Sequence, residues 1–237
     1  LDSTQEGGVY PETGEVAYDY MRAWRLLPEL LGTRAEARLL FVGGGAYAMP
    51  VAAARAMPQA RVEVAELAPA VTAAAGRFFG AGEAPNLKTL PMDGRRAVRS
   101  APGAYDGIFL DAYQGLYAIP FHLATREFFE EVRAALKPGG FAALNLIGDP
   151  AEREGFFCSA VATHAAAFPW VRVHPVYGMG RGPQNVVVLA STKPQRTPPA
   201  AAGLGPGLEP SALYCRAAAL LTDDHAPVES LVGRYIR

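Results

Sequence analysis

The chain has 237 residues, half of them hydrophobic, with 22 Lys and Arg against 23 Asp and Glu and a formal charge of -1. That length makes one sizeable domain, or one domain with a small appendage, and provides for a substantial core. The near-neutral balance, with basic residues scattered and no basic block, excludes a general attraction to nucleic acid or anionic lipid.

LDSTQEGGVY (1–10) reads as one arm of a hairpin whose partner is missing. EVAYDYMRAWRLLPELL (15–31) has helical apolar spacing at Val16, Met21, Trp24 and Leu27, broken late by Pro28. ARLLFVG (37–43) predicts a buried strand, and MPVAAARAMP (49–58) a short helix with proline near its start. RVEVAEL (61–67) is a second strand and PAVTAAAGRFFG (69–80) a helix ending on glycine. NLKTLPMDG (86–94) and YDGIFLDAY (105–113) give the third and fourth strands. TREFFEEVRAALKPGG (125–140) predicts a helix capped by Thr125 and stopped by glycine, with FAALNLIG (141–148) a fifth strand. AEREGFFCSAVATHAAAFP (151–169) is helical, and WVRVHPVYG (170–178) and NVVVLAST (185–192) are further strands, the last pair a candidate antiparallel edge. Residues 193–210 read as a Pro/Gly-rich surface linker, SALYCRAAALL (211–221) as a last helix and the remainder as a tail. Alternation of strand and helix predicts an α/β fold, a mostly parallel sheet covered on both faces.

Cys158 and Cys215 predict free thiols in a reduced compartment, and so a cytoplasmic protein. Four histidines without Cys/His ligand spacing predict no metal site. No apolar run approaches the ~20 residues of a membrane span and no signal peptide opens the chain. The abrupt start nevertheless leaves open that the chain is the cytoplasmic part of a longer protein, one fused to a membrane segment included.

Ligands of open parallel sheets sit beyond the carboxyl ends of the strands, where the strand order switches. Four candidate groups fall at such ends. Gly43, Gly44 and Gly45 follow the first strand, Glu66 ends the second, Asp93 with Gly94 ends the third and Asp111 ends the fourth. Glycines let the backbone approach a ligand. A carboxylate about 20 residues further on can accept from both ribose hydroxyls. Asp93 could accept from an adenine amino group. The turn reads GGGAYA rather than GxGxxG, which disfavours NAD, and the lysine of a P-loop is absent.

These motifs resemble the spermidine synthase (polyamine aminopropyltransferase) family, whose Rossmann-like sheet is shared with methyltransferases. LLFVGGG, VEVAEL, MDG, YDGIFLDAY and TREFFEEVRAALKPGG follow the family's order over residues 39–147, LDSTQ and EVAYDYM resemble its N-terminal hairpin and first helix, and LTDDHAPVES resembles the endings of divergent members. The resemblance implies a remnant hairpin domain over 1–14, the nucleoside-binding domain over 15–192, the linker over 193–210 and a packed C-terminal helix and tail over 211–237. It implies Glu66 on ribose, Asp93 and Gly94 on adenine, and Asp111 beside the reacting amine. Tyr18 would help hold that amine, with Asp19 lining its pocket and Gln5 facing it. Tyr113 and Tyr117 are candidate covering aromatics on a lid over 112–122. The implied reaction takes an aminopropyl group from decarboxylated S-adenosylmethionine to a polyamine and releases methylthioadenosine, with a homodimer as the expected assembly.

Two departures bear on that expectation. The family's GGGDGG is GGGAYA here, so Ala46 stands where an acid would bind the cofactor's amino group and repel the carboxylate of intact S-adenosylmethionine. Two unit charges ~4 Å apart at an effective dielectric of ~20 interact by ~4 kcal/mol, a discrimination of roughly a thousandfold. The family's DSSDP is DAYQG, which puts Gln114 where a second acid would hold a dicationic amine. Asp19, Asp223 and Asp224 are candidate replacements, and Asp223 and Asp224 read equally as a cap or solvated tail. A lyase acting on intact S-adenosylmethionine, a methyltransferase and a non-catalytic adenosyl-nucleoside sensor therefore stay open beside aminopropyl transfer.

Overall fold

A computed structural model describes residues 7–10, 12–32, 34, 36–114, 118–180, 182–195, 204, 207–216 and 218–233. Its centre is a seven-stranded sheet in the order β3-β2-β1-β4-β5-β7-β6. The strands are β1 (Arg38–Val42), β2 (Arg61–Ala65), β3 (Leu87–Leu90), β4 (Tyr105–Leu110), β5 (Leu136–Gly148), β6 (Trp170–Pro175) and β7 (Gln184–Ser191). β1 to β5 run parallel, whereas β7 pairs antiparallel with both β5 and β6. The expected Rossmann-like sheet with an antiparallel edge is therefore present.

Continuous apolar runs make these strands because both faces are covered. Leu40, Val42, Ile108, Leu110, Ala142 and Leu144 pack on α5 (Arg126–Ala135) and α6 (Phe156–Ala167). Leu39, Phe41, Val62, Val64, Phe109 and Phe141 face the other way, onto α2 (Ala48–Ala56) and the N-terminal helices. Phe41 stacks on Phe109 with ring centroids 4.5 Å apart, and Phe141 meets Phe109 edge-on. α2 is rich in alanine, which lets its backbone lie close to the sheet. Thr125 caps α5, its hydroxyl accepting from the Phe128 N–H at 3.2 Å. His164 on α6 is buried against Phe129, and burial pushes its imidazole down to about 3, so it is a neutral core residue.

Several expectations need correction. The cysteines are not free: Cys158 on α6 and Cys215 form a disulfide with Cα atoms 5.6 Å apart. The support those thiols gave to a cytoplasmic location is thereby removed. The N-terminal arm does have a partner, since Val9 bridges Val16 in a short hairpin. The following helix starts later, as a 3-10 helix over Asp19–Leu26 that continues as α1 (Leu27–Leu31). The glycines at 139 and 140 do not stop α5; it ends at Ala135, and β5 already begins at Leu136. α3 (Pro69–Phe78) was expected, but the short α4 (Gly94–Arg99) was not.

Among the described residues of 211–221 no helix forms beyond a 3-10 turn at Pro210–Ala212, and α7 (Val228–Val232) is the last helix described. The alanine-rich run is held instead by other contacts. Leu221 N–H donates to Thr163 Oγ1 at 3.0 Å, and Arg126 N–H donates to the Leu221 carbonyl. Leu204 is buried and Leu208 bridges Val173, so these two positions of the expected surface linker pack on the domain.

Asp223 is a partly exposed tail residue held in an ion pair and does not line the cleft. Arg95 on α4, 7% exposed, donates to both oxygens of Asp223 at 2.7 Å and to both of Glu131 on α5 at 2.7 and 2.8 Å. The Arg95 contact lowers the Asp223 carboxyl below its usual range against the opposing effect of burial, and Thr125 adds to the lowering. At Glu131 burial acts upward, but hydrogen bonds from Arg95 and Arg99 outweigh it and the carboxyl is lowered as well. Groups whose carboxyl pKa is depressed on folding stabilise the fold above their unfolded value, and that stability is lost as pH falls through the folded value. Arg95→Ala is therefore expected to cost about 2 kcal/mol at neutral pH, discounted for partial exposure of both acids. The deficit should shrink below about pH 4, where the wild type loses the same pairs. Urea denaturation at pH 7 and pH 3.5 measures this; a deficit equal at both would show that the ion pairs are not its source.

Candidate active site

β1 and β4 are neighbours whose chain continuations leave in opposite directions, which opens a crevice at their carboxyl ends. A cleft of about 500 Å³ lies there. Its walls include Gly43, Gly44, Gly45, Glu66, Asp93, Gly94, Asp111, Tyr113 and Gln114, so nine residues singled out from the sequence meet in one place.

The glycines are required by packing as well as by any ligand. Gly43 has φ +90°, and a Cβ there would run into the Asp111 carbonyl. At Gly44 a Cβ would collide with the Tyr47 ring and sit 2.9 Å from Glu66 Oε2. Tyr47, which stands where the resembled motif has a glycine, has a left-handed conformation at φ 56°. Its buried hydroxyl lies 3.0 Å from Thr72 Oγ1 and 3.2 Å from Thr89 Oγ1, and the side chain fills the space beneath the turn. At Gly94 a Cβ would meet Val42 Cγ1.

Glu66 is fixed by two backbone donors, Gly44 N–H to Oε2 at 2.9 Å and Ala68 N–H to Oε1 at 2.7 Å. A carboxylate has about four acceptor positions, so each oxygen retains capacity towards the cleft. Asp93 caps α4, its Oδ1 accepting from Arg96 N–H at 3.1 Å, while Oδ2 lies 3.0 Å from His122 Nε2. Burial acts upward on the Asp93 carboxyl, but the His122 contact and the backbone donors outweigh it and hold the group below its usual range. His122, at the end of the expected lid over 112–122 and not itself a site candidate, also lines the cleft.

Asp111 accepts from Asn145 Nδ2 at 2.8 Å on Oδ1 and from the Tyr20 hydroxyl at 3.4 Å on Oδ2. Tyr20 is thus a tyrosine on Asp111; Tyr18 stacks against Tyr20 at 6.5 Å between ring centroids and does not line this cleft. Asp19 also turns elsewhere, pairing with Arg22 at 2.9 Å and hydrogen-bonding Tyr177. Ala46 is off the wall too and lies against the N-terminal segment at Gly7. Gln5 and Tyr117 lie outside the described residues. Tyr113 does not act as an exposed cover: its hydroxyl donates to the Asn145 carbonyl at 2.8 Å and accepts from Ile147 N–H at 3.0 Å. Burial, and then the charge of Asp111, raise that phenol well above its ordinary value.

No cluster of three His, Cys, Asp or Glu side chains able to hold a metal is found among the described residues, and no helix among them is long and apolar enough to cross a membrane.

No protein-family profile matches the chain. A polyamine aminopropyltransferase from Vibrio vulnificus (strain CMCP6) is 32% identical over 138 residues, which is 57% of this chain and 45% of that protein. The chain thus spans less than half the length of this curated relative. A probable spermidine synthase from Corynebacterium glutamicum ATCC 13032 superimposes with a TM-score of 0.70 at 25% identity, covering 83% of this chain and 76% of that one. The chain is thus similar to a polyamine aminopropyltransferase over part of its sequence and to a spermidine synthase in fold. Human methyltransferase-like protein 13, solved in complex with SAH, shares the fold more distantly, with a TM-score of 0.63, 21% identity and coverage of 78% and 87%. The chain therefore shares its sheet with both of these solved structures.

Proposed function

We propose that this protein binds an adenosyl sulfonium in the cleft and transfers an aminopropyl group from decarboxylated S-adenosylmethionine to a polyamine, releasing methylthioadenosine. The observation that carries this reading is the convergence of Glu66, Asp93 and Asp111 on one cleft at the strand-order switch. The likeness to polyamine aminopropyltransferases supports the reaction class.

In this reading the ribose hydroxyls donate to Glu66, the adenine amino group donates to Asp93, and the glycine turn passes close beneath the nucleoside. Asp111 takes a proton from the incoming ammonium and aligns the free amine. The amine nitrogen then forms a bond to the carbon beside sulfur, the carbon–sulfur bond breaks, and its electron pair stays on sulfur as a neutral thioether. Because the leaving group is good, the protein chiefly supplies positioning and a deprotonated nucleophile. Tyr20 orients Asp111 from one side, with Tyr18 stacked behind it, and Gln114 offers the acceptor an amide in place of a charge. A homodimer is part of the proposal. A cytoplasmic location is the weaker part, since the Cys158–Cys215 disulfide favours an oxidising surrounding.

Ala46 supports a second reading. Without an acid at that position the turn offers no charge to repel the carboxylate of intact S-adenosylmethionine, and elimination catalysed by Asp111 would also yield methylthioadenosine. Mass spectrometry of products from each sulfonium, with and without putrescine, separates the two. Methylthioadenosine formed only from the decarboxylated form with amine supports transfer. Its formation from intact S-adenosylmethionine alone supports the lyase, S-adenosylhomocysteine would mean methyl transfer, and no product with retained binding would mean a sensor.

Glu66→Gln is expected to weaken methylthioadenosine binding about 100-fold, because two charge-assisted hydrogen bonds of about 1.5 kcal/mol each are lost. The amide would also turn an N–H towards one of the two backbone donors. Calorimetric titration gives the answer, and a change within threefold would overturn the ribose assignment.

A further inference from the structure

Asn145 stands on β5 with 7% exposure, and its two amide atoms have different partners. Nδ2 donates to Asp111 Oδ1 at 2.8 Å, while Oδ1 accepts from Asn185 Nδ2 at 3.0 Å. Asn185 stands on β7. The antiparallel register sets Asn145 opposite Val187 and Ile147 opposite Asn185, so the two amides meet on the diagonal. The Tyr113 hydroxyl braces the same stretch of β5 through Asn145 O and Ile147 N.

An amide has a donor end and an acceptor end, and only one orientation satisfies both neighbours. Donation from Asn185 keeps the Asn145 oxygen away from Asp111 and turns its NH₂ towards it. That NH₂ fits a carboxylate and opposes a proton on Oδ1, whereas a reversed amide would present oxygen and favour the protonated acid.

We propose that Asn185 is a positioning residue, acting through Asn145 to hold Asp111 ionised and aimed at the cleft. The inference rests on the reading of Asp111 as the group beside the reacting amine. Other titratable groups lie around Asp111: Tyr20 on the N-terminal 3-10 helix and Tyr113 on the loop after β4 interact with it, and Glu66, Asp93 and His122 line the same cleft. They form a background common to wild type and variants, so the difference on changing Asn185 isolates the relay.

The test is a ¹³C NMR titration of the aspartate carboxyls, with the Asp111 signal assigned by its loss in Asp111→Asn. Asn185→Val removes the donor and suits a strand, and the Asp111 midpoint should rise by about one pH unit. Asn185→Asp accepts from Asn145 Nδ2, reverses the amide and should raise the midpoint further. An Asp111 signal that titrates at the wild-type pH in both variants overturns the proposal, as does a lowered kcat with an unmoved midpoint. The readout needs no turnover, so it fails separately from the product assay. Absence of methylthioadenosine from every incubation would sink the proposed reaction without touching the titration.

Discussion

Asp111→Asn lowers kcat about a thousandfold, equivalent to ~4 kcal/mol in the barrier, with methylthioadenosine affinity unchanged within a few-fold. This is the largest kinetic effect expected of any single substitution in the cleft. The amide retains an oxygen to accept from Asn145 Nδ2, and its own NH₂ can donate to the Tyr20 hydroxyl, so the local hydrogen bonds survive. What disappears is the capacity to take the ammonium proton. Nucleoside binding should survive because Glu66 and Asp93 sit at the ends of other strands. Single-turnover kinetics with either sulfonium, together with calorimetric titration of methylthioadenosine, decide the matter. Retained turnover would remove Asp111 from the chemistry and with it the common element of the transferase and lyase readings.

The largest effect on stability should follow opening of the Cys158–Cys215 bridge. The two residues are 57 apart in sequence, and closing a loop of that size restricts the unfolded chain by about 4 kcal/mol in the chain-entropy picture. The bridge ties α6 to the segment that goes on to Leu221 and Asp223, and that segment closes on α5 and on Arg95. A Cys158→Ala, Cys215→Ala double variant should therefore unfold at a clearly lower urea concentration, and reductant should shift the wild type towards it. Equal midpoints with and without reductant would show that the bridge contributes nothing.

The parallel core was legible because its strands are continuous apolar runs separated by glycine turns and helical patterns. Glu66, Asp93 and Asp111 could be found for the same reason, as single carboxylates that end such runs. The disulfide was not legible, since nothing local marks two cysteines so far apart as neighbours. SALYCRAAALL has the composition of a helix, but its backbone is drawn into contacts with Thr163 and Arg126, and tertiary packing prevailed over propensity. α4 has only six residues, too few to show a period, although Asp93 three residues before Arg96 is a cap signal.

Tyr18 came from the resemblance alone, as a residue holding the amine, whereas Tyr20, on the 3-10 helix that begins at Asp19, donates to Asp111 Oδ2. Asn145 and Asn185 were overlooked as polar residues inside apolar strands. Within runs such as ALNLIG and QNVVVL an amide must find a partner once buried, and that was the signal available.

The order of the strands also bears on how the protein is made. β7 lies between β5 and β6 although it is synthesised after both. A nascent chain that has emerged only as far as Pro175 thus carries β5 with one open ladder and β6 with no neighbour to join it to the sheet. Such unpaired edges are what chaperones shield and what aggregates recruit. The last strand to enter brings Asn185 with it, so the geometry around Asp111 is completed only when the sheet itself closes up. An incomplete ribosomal product therefore has Glu66, Asp93 and Asp111 at the ends of paired strands before the Asn185–Asn145 contact beside Asp111 can form.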